Sequence, residues 1–287
     1  MATRLNSLLT YLSSGGHEGF AAQRFRESAR SPTEIPNLWS AKHVATGLSV
    51  DRLPIGSTGT GYVVLVQRLA LFDLDNTLVD FDAAFRGWVE EFADEHRLGL
   101  EAVDWLIELD RAGYPHREVF FAKVRERFAL PDSAEELWGR YRRRMPYLVH
   151  RRPEVLDGLA QLRVSGWRVA IVTNGTADNQ LGKIQQTGLS EAVDAYALSG
   201  TEGIRKPEVG LFDIAATRCG ATLAEGGWMI GDNLIADIAG GRGAGLRTIW
   251  IDRGTWPRVD HQADHVVTDV LQAVEILQAS NEGGGPR

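Results

Sequence analysis

Two aspartates spaced two residues apart, Asp73 and Asp75, follow the apolar run Leu69-Ala70-Leu71-Phe72 and precede Asn76 and Thr77. A short apolar run that ends in carboxylates reads as a buried strand delivering acids to its tip. In open α/β sheets ligands bind beyond the carboxyl ends of strands. An Asp-x-Asp pair there suits a hard divalent cation, which takes oxygen ligands, and leaves a carboxylate oxygen to attack phosphorus. Positions i and i+2 of a strand share a face, so both acids can address one site. The chemistry favoured by these residue types is phosphoryl transfer.

Three further segments repeat the layout. Ile171-Val172-Thr173-Asn174-Gly175 ends an apolar run with a hydroxyl and a glycine turn, where side-chain and backbone donors can grip phosphate oxygens. Gly203-Ile204-Arg205-Lys206-Pro207 presents a lysine just before a proline that opens a helix. Met229-Ile230-Gly231-Asp232-Asn233 supplies another strand-end acid, with Asp237 five residues after Asp232. Taken singly, each has a purely structural explanation as an Asx turn, a solvated lysine or a helix cap. In this order, each beside an apolar segment, they describe one site.

The elements that must position these groups follow from periodicity. After the Asp73 strand, helical spacing predicts four helices over 82–97, 101–112, 116–128 and 133–147, the first showing Phe81, Phe85, Trp88, Val89 and Phe92 and the last Leu137, Trp138, Tyr141 and Met145. From Pro153 onward helices and strands alternate. Helices are expected near 154–165, 178–187, 208–219, 234–244 and 269–279, and strands over 167–172, 195–198, 228–230, 247–251 and at 266–267. That alternation implies an α/β fold: a doubly wound, Rossmann-like parallel sheet with right-handed crossovers, interrupted by an inserted α-helical cap. The expected division is a core of 66–81 and 150–280, a cap of 82–149, and a frayed tail of 281–287. Residues 1–65, with scattered Ser, Gly, Thr and Arg, read as a weakly ordered extension, as a docking helix around Leu5 to Leu12, or as a start-site artefact with translation beginning near Val63 to Val66.

Gross properties exclude several classes. The 287 residues, 44% hydrophobic, suffice for one core with an insert. A formal charge of -7 and a pI near 5.6 argue against a nucleic-acid polymer as partner, since such binders need excess Lys and Arg. Cys219 is the single cysteine, so no intrachain disulfide can form, and no apolar run reaches a membrane span or a signal-peptide core. A cytoplasmic protein is the expectation.

On these four segments the chain resembles the haloacid dehalogenase superfamily in its phosphatase branch, from Leu69 to about Ala279, and the insert resembles that superfamily's helical cap. The resemblance implies that Asp73 is a nucleophile forming an aspartyl-phosphate and Asp75 a general acid and base. It implies that Thr173 and the Asn174 amide bind the phosphoryl group while Lys206 offsets its charge. Mg²⁺ would be held by Asp73, the Asp75 carbonyl and Asp232, with Asp237 supporting the site from behind. Arg111, Tyr114, His116 and Arg117, at a predicted interhelical turn, are candidate substrate contacts. The run Arg142-Arg143-Arg144 reads as a solvated face, and Trp256 as packing. The implied substrate is a small phosphorylated metabolite: a nucleoside monophosphate, phosphoglycolate or a sugar phosphate, with a pyrimidine 5′-nucleotidase-like enzyme the first choice. Sugar-phosphate mutase chemistry, phosphonate cleavage and a non-catalytic binding role are the alternatives.

Overall fold

The computed structural model describes residues 67–111, 117–257 and 260–280; the expectations for 1–65, for Tyr114 and His116, and for the tail 281–287 fall outside those residues. Leu69 to Phe72 form β1, and all four side chains are buried, as a strand covered on both faces requires. Five more strands follow: β2 (Arg168–Thr173), β3 (Ala195–Leu198), β4 (Trp228–Gly231), β5 (Arg247–Ile251) and β6 (His265–Val267). All pair in parallel, in the order β3-β2-β1-β4-β5-β6. The period-2 alternation divides the core. Leu69 and Leu71 pack with Val172, Met229 and Phe212 on one face, whereas Ala70 and Phe72 pack with Ile171, Ile230 and Leu159 on the other.

Between β1 and the rest lies a helical insert of α1 (Phe81–Glu95), α2 (Leu100–Arg111), α3 (Arg117–Phe128) and α4 (Ala134–Arg144). The chain reaches α1 through a tight turn in which the Leu74 carbonyl accepts from the amides of Thr77, Leu78 and Val79. Asn76 adopts a left-handed conformation there (φ 59°), which Asn tolerates better than most side chains, and its amide is tied to both the backbone and carboxylate of Asp82. Inside the insert, aromatic edges meet aromatic faces: Trp88 lies 5.0 Å from Tyr141 and 5.7 Å from Phe121, centroid to centroid. A Ser133–Glu136 capping box starts α4.

The remaining long helices are α5 (Pro153–Val164), α6 (Ala177–Thr187), α7 (Val209–Arg218) and α8 (Val270–Ala279). Where periodicity predicts one regular helix over 234–244, the chain forms a wide, π-type segment, Leu234–Ala239, that runs into a short helix, Gly240–Gly243. Asn233 explains the wide start. Its side chain accepts from the amides of Ile235 and Ala236, and its carbonyl accepts from both Asp237 and Ile238. The glycines explain the close packing, since a Cβ on Gly241 would lie 2.7 Å from Met229 of β4.

Phe121 is fully buried among these rings, so Phe121→Ala should lower unfolding free energy by about 3–5 kcal/mol in a denaturant titration. A loss below about 1 kcal/mol would mean that the insert's aromatic cluster does not stabilise the fold.

Candidate active site

The strand registers set the site. Phe72 pairs with Ile171 of β2 and with Ile230 of β4, so these three strands end at one level. The Asp73 amide donates to the Ile230 carbonyl at 2.9 Å, extending the ladder one residue and fixing the Asp73 backbone. Asp73, Thr173 and Asp232 therefore emerge together, the first two buried and Asp232 partly so.

Lys206 reaches this point from the loop before α7. Its buried Nζ donates to Asp73 Oδ1 at 2.5 Å and to Asp237 Oδ1 at 2.6 Å. Burial opposes the ammonium charge, but the Asp237 and Asp73 carboxylates outweigh it and push the lysine pKa up. The loop is held by the Asn174 side chain, whose amide donates to the Lys206 carbonyl (3.0 Å) and whose oxygen accepts from the Lys206 amide (2.9 Å). Asp237 is held in turn, its Oδ2 accepting from the Asn233 amide at 3.0 Å. Gly231 makes this possible, because a Cβ there would sit 2.2 Å from Asp237 Oδ2.

Asp73, Asp232 and Asp237 offer carboxylate oxygens that lie within 4.8 Å of one another. Three carboxylates against one ammonium leave negative charge in excess. Burial, assisted by Asp237 and only partly offset by Lys206, pushes Asp73 up to about 7. Burial together with Asp73 and Asp237 holds Asp232 well above the usual carboxylate range. This all-oxygen, electron-rich donor set fits a hard divalent cation. Asp237, committed to Lys206 and Asn233, is less available than Asp73 and Asp232.

Asp75 lies on the other side of Asp73. Both its oxygens accept from Lys183 Nζ at 2.8 Å, and Oδ2 also accepts from Gln180 Nε2 at 3.0 Å. The same Gln180 nitrogen donates to Thr173 Oγ1 at 2.7 Å. Neither Gln180 nor Lys183 belongs to the four segments that motif reasoning singled out. Their signal was present as a polar stripe, because the inward face of α6 is Asn179, Gln180, Lys183, Ile184 and Thr187 instead of an apolar series.

A cleft of about 540 Å³ opens over these groups, between the core and the insert. From the core it is lined by Asp75, Asn174, Gln180 and Lys183, and from the insert by Phe81, Arg117, Trp138, Tyr141 and Arg142. Of the four expected contacts on the insert, Arg117 reaches the cleft, ion-paired with Asp110 and within 5.3–5.8 Å of the rings of Phe81, Phe85, Phe120 and Tyr141. Arg111 ends α2 and, among the described residues, is not part of the lining. Arg142 departs from the solvated face expected of it: it stacks over Trp138 at 4.5 Å, pairs with Asp178 at 3.4 Å and lines the cleft. Trp256 packs against the Leu234, Ile238 and Trp250 cluster.

The structure is a six-stranded parallel α/β sheet with acids, a hydroxyl and a buried lysine at its carboxyl edge, a donor set suited to phosphoryl groups. The description haloacid dehalogenase-like hydrolase matches residues 67–245, and the chain belongs to that family. Over 169 residues it is 38% identical to the phosphoserine phosphatase of Thermus thermophilus, covering 58% of this chain and 66% of that one. It is 26% identical to the glyceraldehyde 3-phosphate phosphatase of Pyrococcus furiosus over 75% of this chain and 94% of the relative. The magnesium-bound HAD-hydrolase YfnB of Bacillus subtilis shares the fold, with a TM-score of 0.62 at 22% identity, over 74% of this chain and 98% of that one. The protein is a phosphoric monoester hydrolase of this family. Among the described residues, no helix is long and apolar enough to cross a membrane.

Two outcomes follow. In metal-free protein the folded state holds protons on Asp73 and Asp232 more tightly than the unfolded chain. Their contribution to stability is therefore full below about pH 4; the part from Asp73 is lost as pH rises through about 7, and the part from Asp232, also held well above the usual carboxylate range, is lost in the same direction. The thermal midpoint in chelator should fall between pH 5 and 8, and Asp73→Asn should flatten that slope; an unchanged slope would remove Asp73 as its source. Gly231→Ala should displace Asp237 and destabilise the protein by about 2 kcal/mol or more in a denaturant titration. Wild-type stability in that variant would show that Asp237 has room to move.

Proposed function

We propose that the protein is a Mg²⁺-dependent phosphatase that hydrolyses small phosphomonoesters through an aspartyl-phosphate on Asp73. The observation that supports this most directly is the placement of Asp73 at the sheet edge, with one carboxylate oxygen held by Lys206 and Thr173 and Asp232 beside it. A nucleophile so fixed needs little reorganisation to meet phosphorus in line.

Mg²⁺ fits the acidic cluster, where Asp73, Asp232 and the Asp75 carbonyl would hold it, and when bound it supplies positive charge that keeps Asp73 ionised and screens the phosphoryl oxygens. Thr173 and the Asn174 amide orient the phosphoryl group, and Lys206 balances the charge gathering on it. Asp73 attacks phosphorus through a carboxylate oxygen, and the bond from phosphorus to the ester oxygen breaks. Asp75 gives that leaving oxygen its proton. Water then attacks the aspartyl-phosphate, Asp75 takes the water's proton, and the bond from phosphorus to Asp73 breaks to release phosphate. Lys206, paired with Asp73 throughout, leaves the nucleophile's charge partly balanced in both halves.

The cleft supports a small substrate. Its volume suits a metabolite, its rings (Phe81, Trp138, Tyr141) offer apolar faces, and Arg117 and Arg142 offer cations. The phosphoserine and glyceraldehyde 3-phosphate named for the two relatives are of this class, as are sugar phosphates and nucleoside monophosphates. The helical insert acts as the cap that encloses the substrate and excludes water.

Phosphate release from p-nitrophenyl phosphate should require Mg²⁺, stop in chelator, and drop by about 10³-fold or more in Asp73→Asn. Turnover that survives either treatment would sink the proposal.

A further inference from the structure

Helix α6 buries charge and amide where a helix against a sheet ordinarily buries aliphatic groups. Gln180 and Lys183 are each 2% exposed and sit three residues apart on the inward face. A buried ammonium is costly unless it is paired and hydrogen-bonded. Lys183 finds its partner in a residue more than a hundred positions earlier, with Nζ 2.8 Å from each oxygen of Asp75 and 5.0 Å from the centroid of the Phe81 ring. Gln180 adds a donor to Asp75 Oδ2 and links it to Thr173 Oγ1. An ionised carboxylate offers about four acceptor sites. Lys183 and Gln180 fill three of those on Asp75, whose side chain remains 26% exposed on the side of the cleft.

We propose that Lys183 and Gln180 are positioning residues. They clamp the Asp75 carboxyl so that one oxygen direction stays open toward the cleft, where it meets first the leaving oxygen and then the attacking water. This rests on the reading of Asp75 as acid and base given above. Gln180, bonded to both Asp75 and Thr173, ties the acid and base to the hydroxyl that faces the phosphoryl group. A clamp of two side chains from one rigid helix fixes direction as well as distance, which a single bond to a carboxyl on a turn does not.

A residue that acts through Asp75 leaves a signature in leaving-group dependence. p-Nitrophenolate departs without a proton, whereas phenolate, far more basic, needs one. The two aryl phosphates are nearly the same size, so a packing defect treats them alike. In Mg²⁺, Lys183→Met should lower kcat on phenyl phosphate by about 100-fold with KM little changed. On p-nitrophenyl phosphate it should give a burst of one p-nitrophenolate per site and then slow turnover, because formation of the phosphoenzyme survives while its hydrolysis does not. Lys183→Arg should restore part of the loss. Gln180→Ala, which keeps the ion pair, should show the same pattern more weakly, and it tests the clamp even if Lys183→Met does not fold. Unchanged kinetics in these variants, or equal loss on both substrates without a burst, would overturn the proposal. Asp75→Asn run alongside separates the two readings. If it retains phenyl phosphate turnover, the assignment of Asp75 itself fails; if it loses turnover while the Lys183 and Gln180 variants keep theirs, the clamp alone fails.

Discussion

A lysine ammonium almost sealed from solvent sits between two carboxylates, Asp73 and Asp237, and much of the core is arranged so that it can. For Asp73 to be there, β1 must end level with β2 and β4. For Asp237 to be there, Gly231 must have no side chain and the segment after Asn233 must open wide enough to turn Asp237 back toward the strand ends. For Lys206 to be there, its loop must be pinned, which the two hydrogen bonds of Asn174 accomplish. Removing any one partner leaves a buried charge unmatched, a far larger penalty than the net gain from an ordinary surface pair.

Around that lysine the charges divide unevenly. On one side, three carboxylates share one ammonium, and burial and mutual repulsion raise Asp73 and Asp232. That side offers the donor set that suits a hard divalent cation. On the other side a single carboxylate, Asp75, has the Lys183 ammonium on both oxygens and shares the Gln180 amide with Thr173. Two aspartates only two residues apart thus occupy different environments, as the proposed division into nucleophile and proton carrier requires.

The sheet and the positions of its acids were legible because they depend on local pattern. Apolar runs of four to six residues ending in Asp73, Thr173 and Asp232 mark strands whatever the rest of the chain does, and helical spacing marked α1 to α4 to within a few residues. The wide turn after Asn233 was not legible, because a side chain capping its own backbone overrides a helical period without changing it. Lys183 and Gln180 escaped motif reasoning for a different reason. Their partner is remote in sequence, and on a helix a lysine and a glutamine ordinarily read as solvent-facing. Only the fact that they lie on the same stripe as Ile184 distinguishes them. Arg142 illustrates the same limit, since a run of three arginines shows charge but not which member turns inward onto Trp138.

The cleft joins these threads, because its two walls differ in what they can change without cost. The core wall is a hydrogen-bonded network in which Thr173, Gln180, Asp75 and Lys183 constrain one another, so a substitution at one disturbs the others. The insert wall is built from aromatic faces with arginines laid over them: Arg117 over four rings and Arg142 over Trp138. The ring contacts are individually modest, though Arg117 is also anchored by its ion pair with Asp110, and the hydrogen bonds of Asp73 and Asp75 go to the core wall instead. Phe81, the first residue of the insert, is where the walls meet, its ring taking Lys183 from the core side and Arg117 from the insert side. On the proposed function, selection of the organic part of a substrate can vary on the insert wall while phosphoryl transfer stays fixed on the core wall, and Phe81, touched by Arg117 and Lys183, is the contact between them.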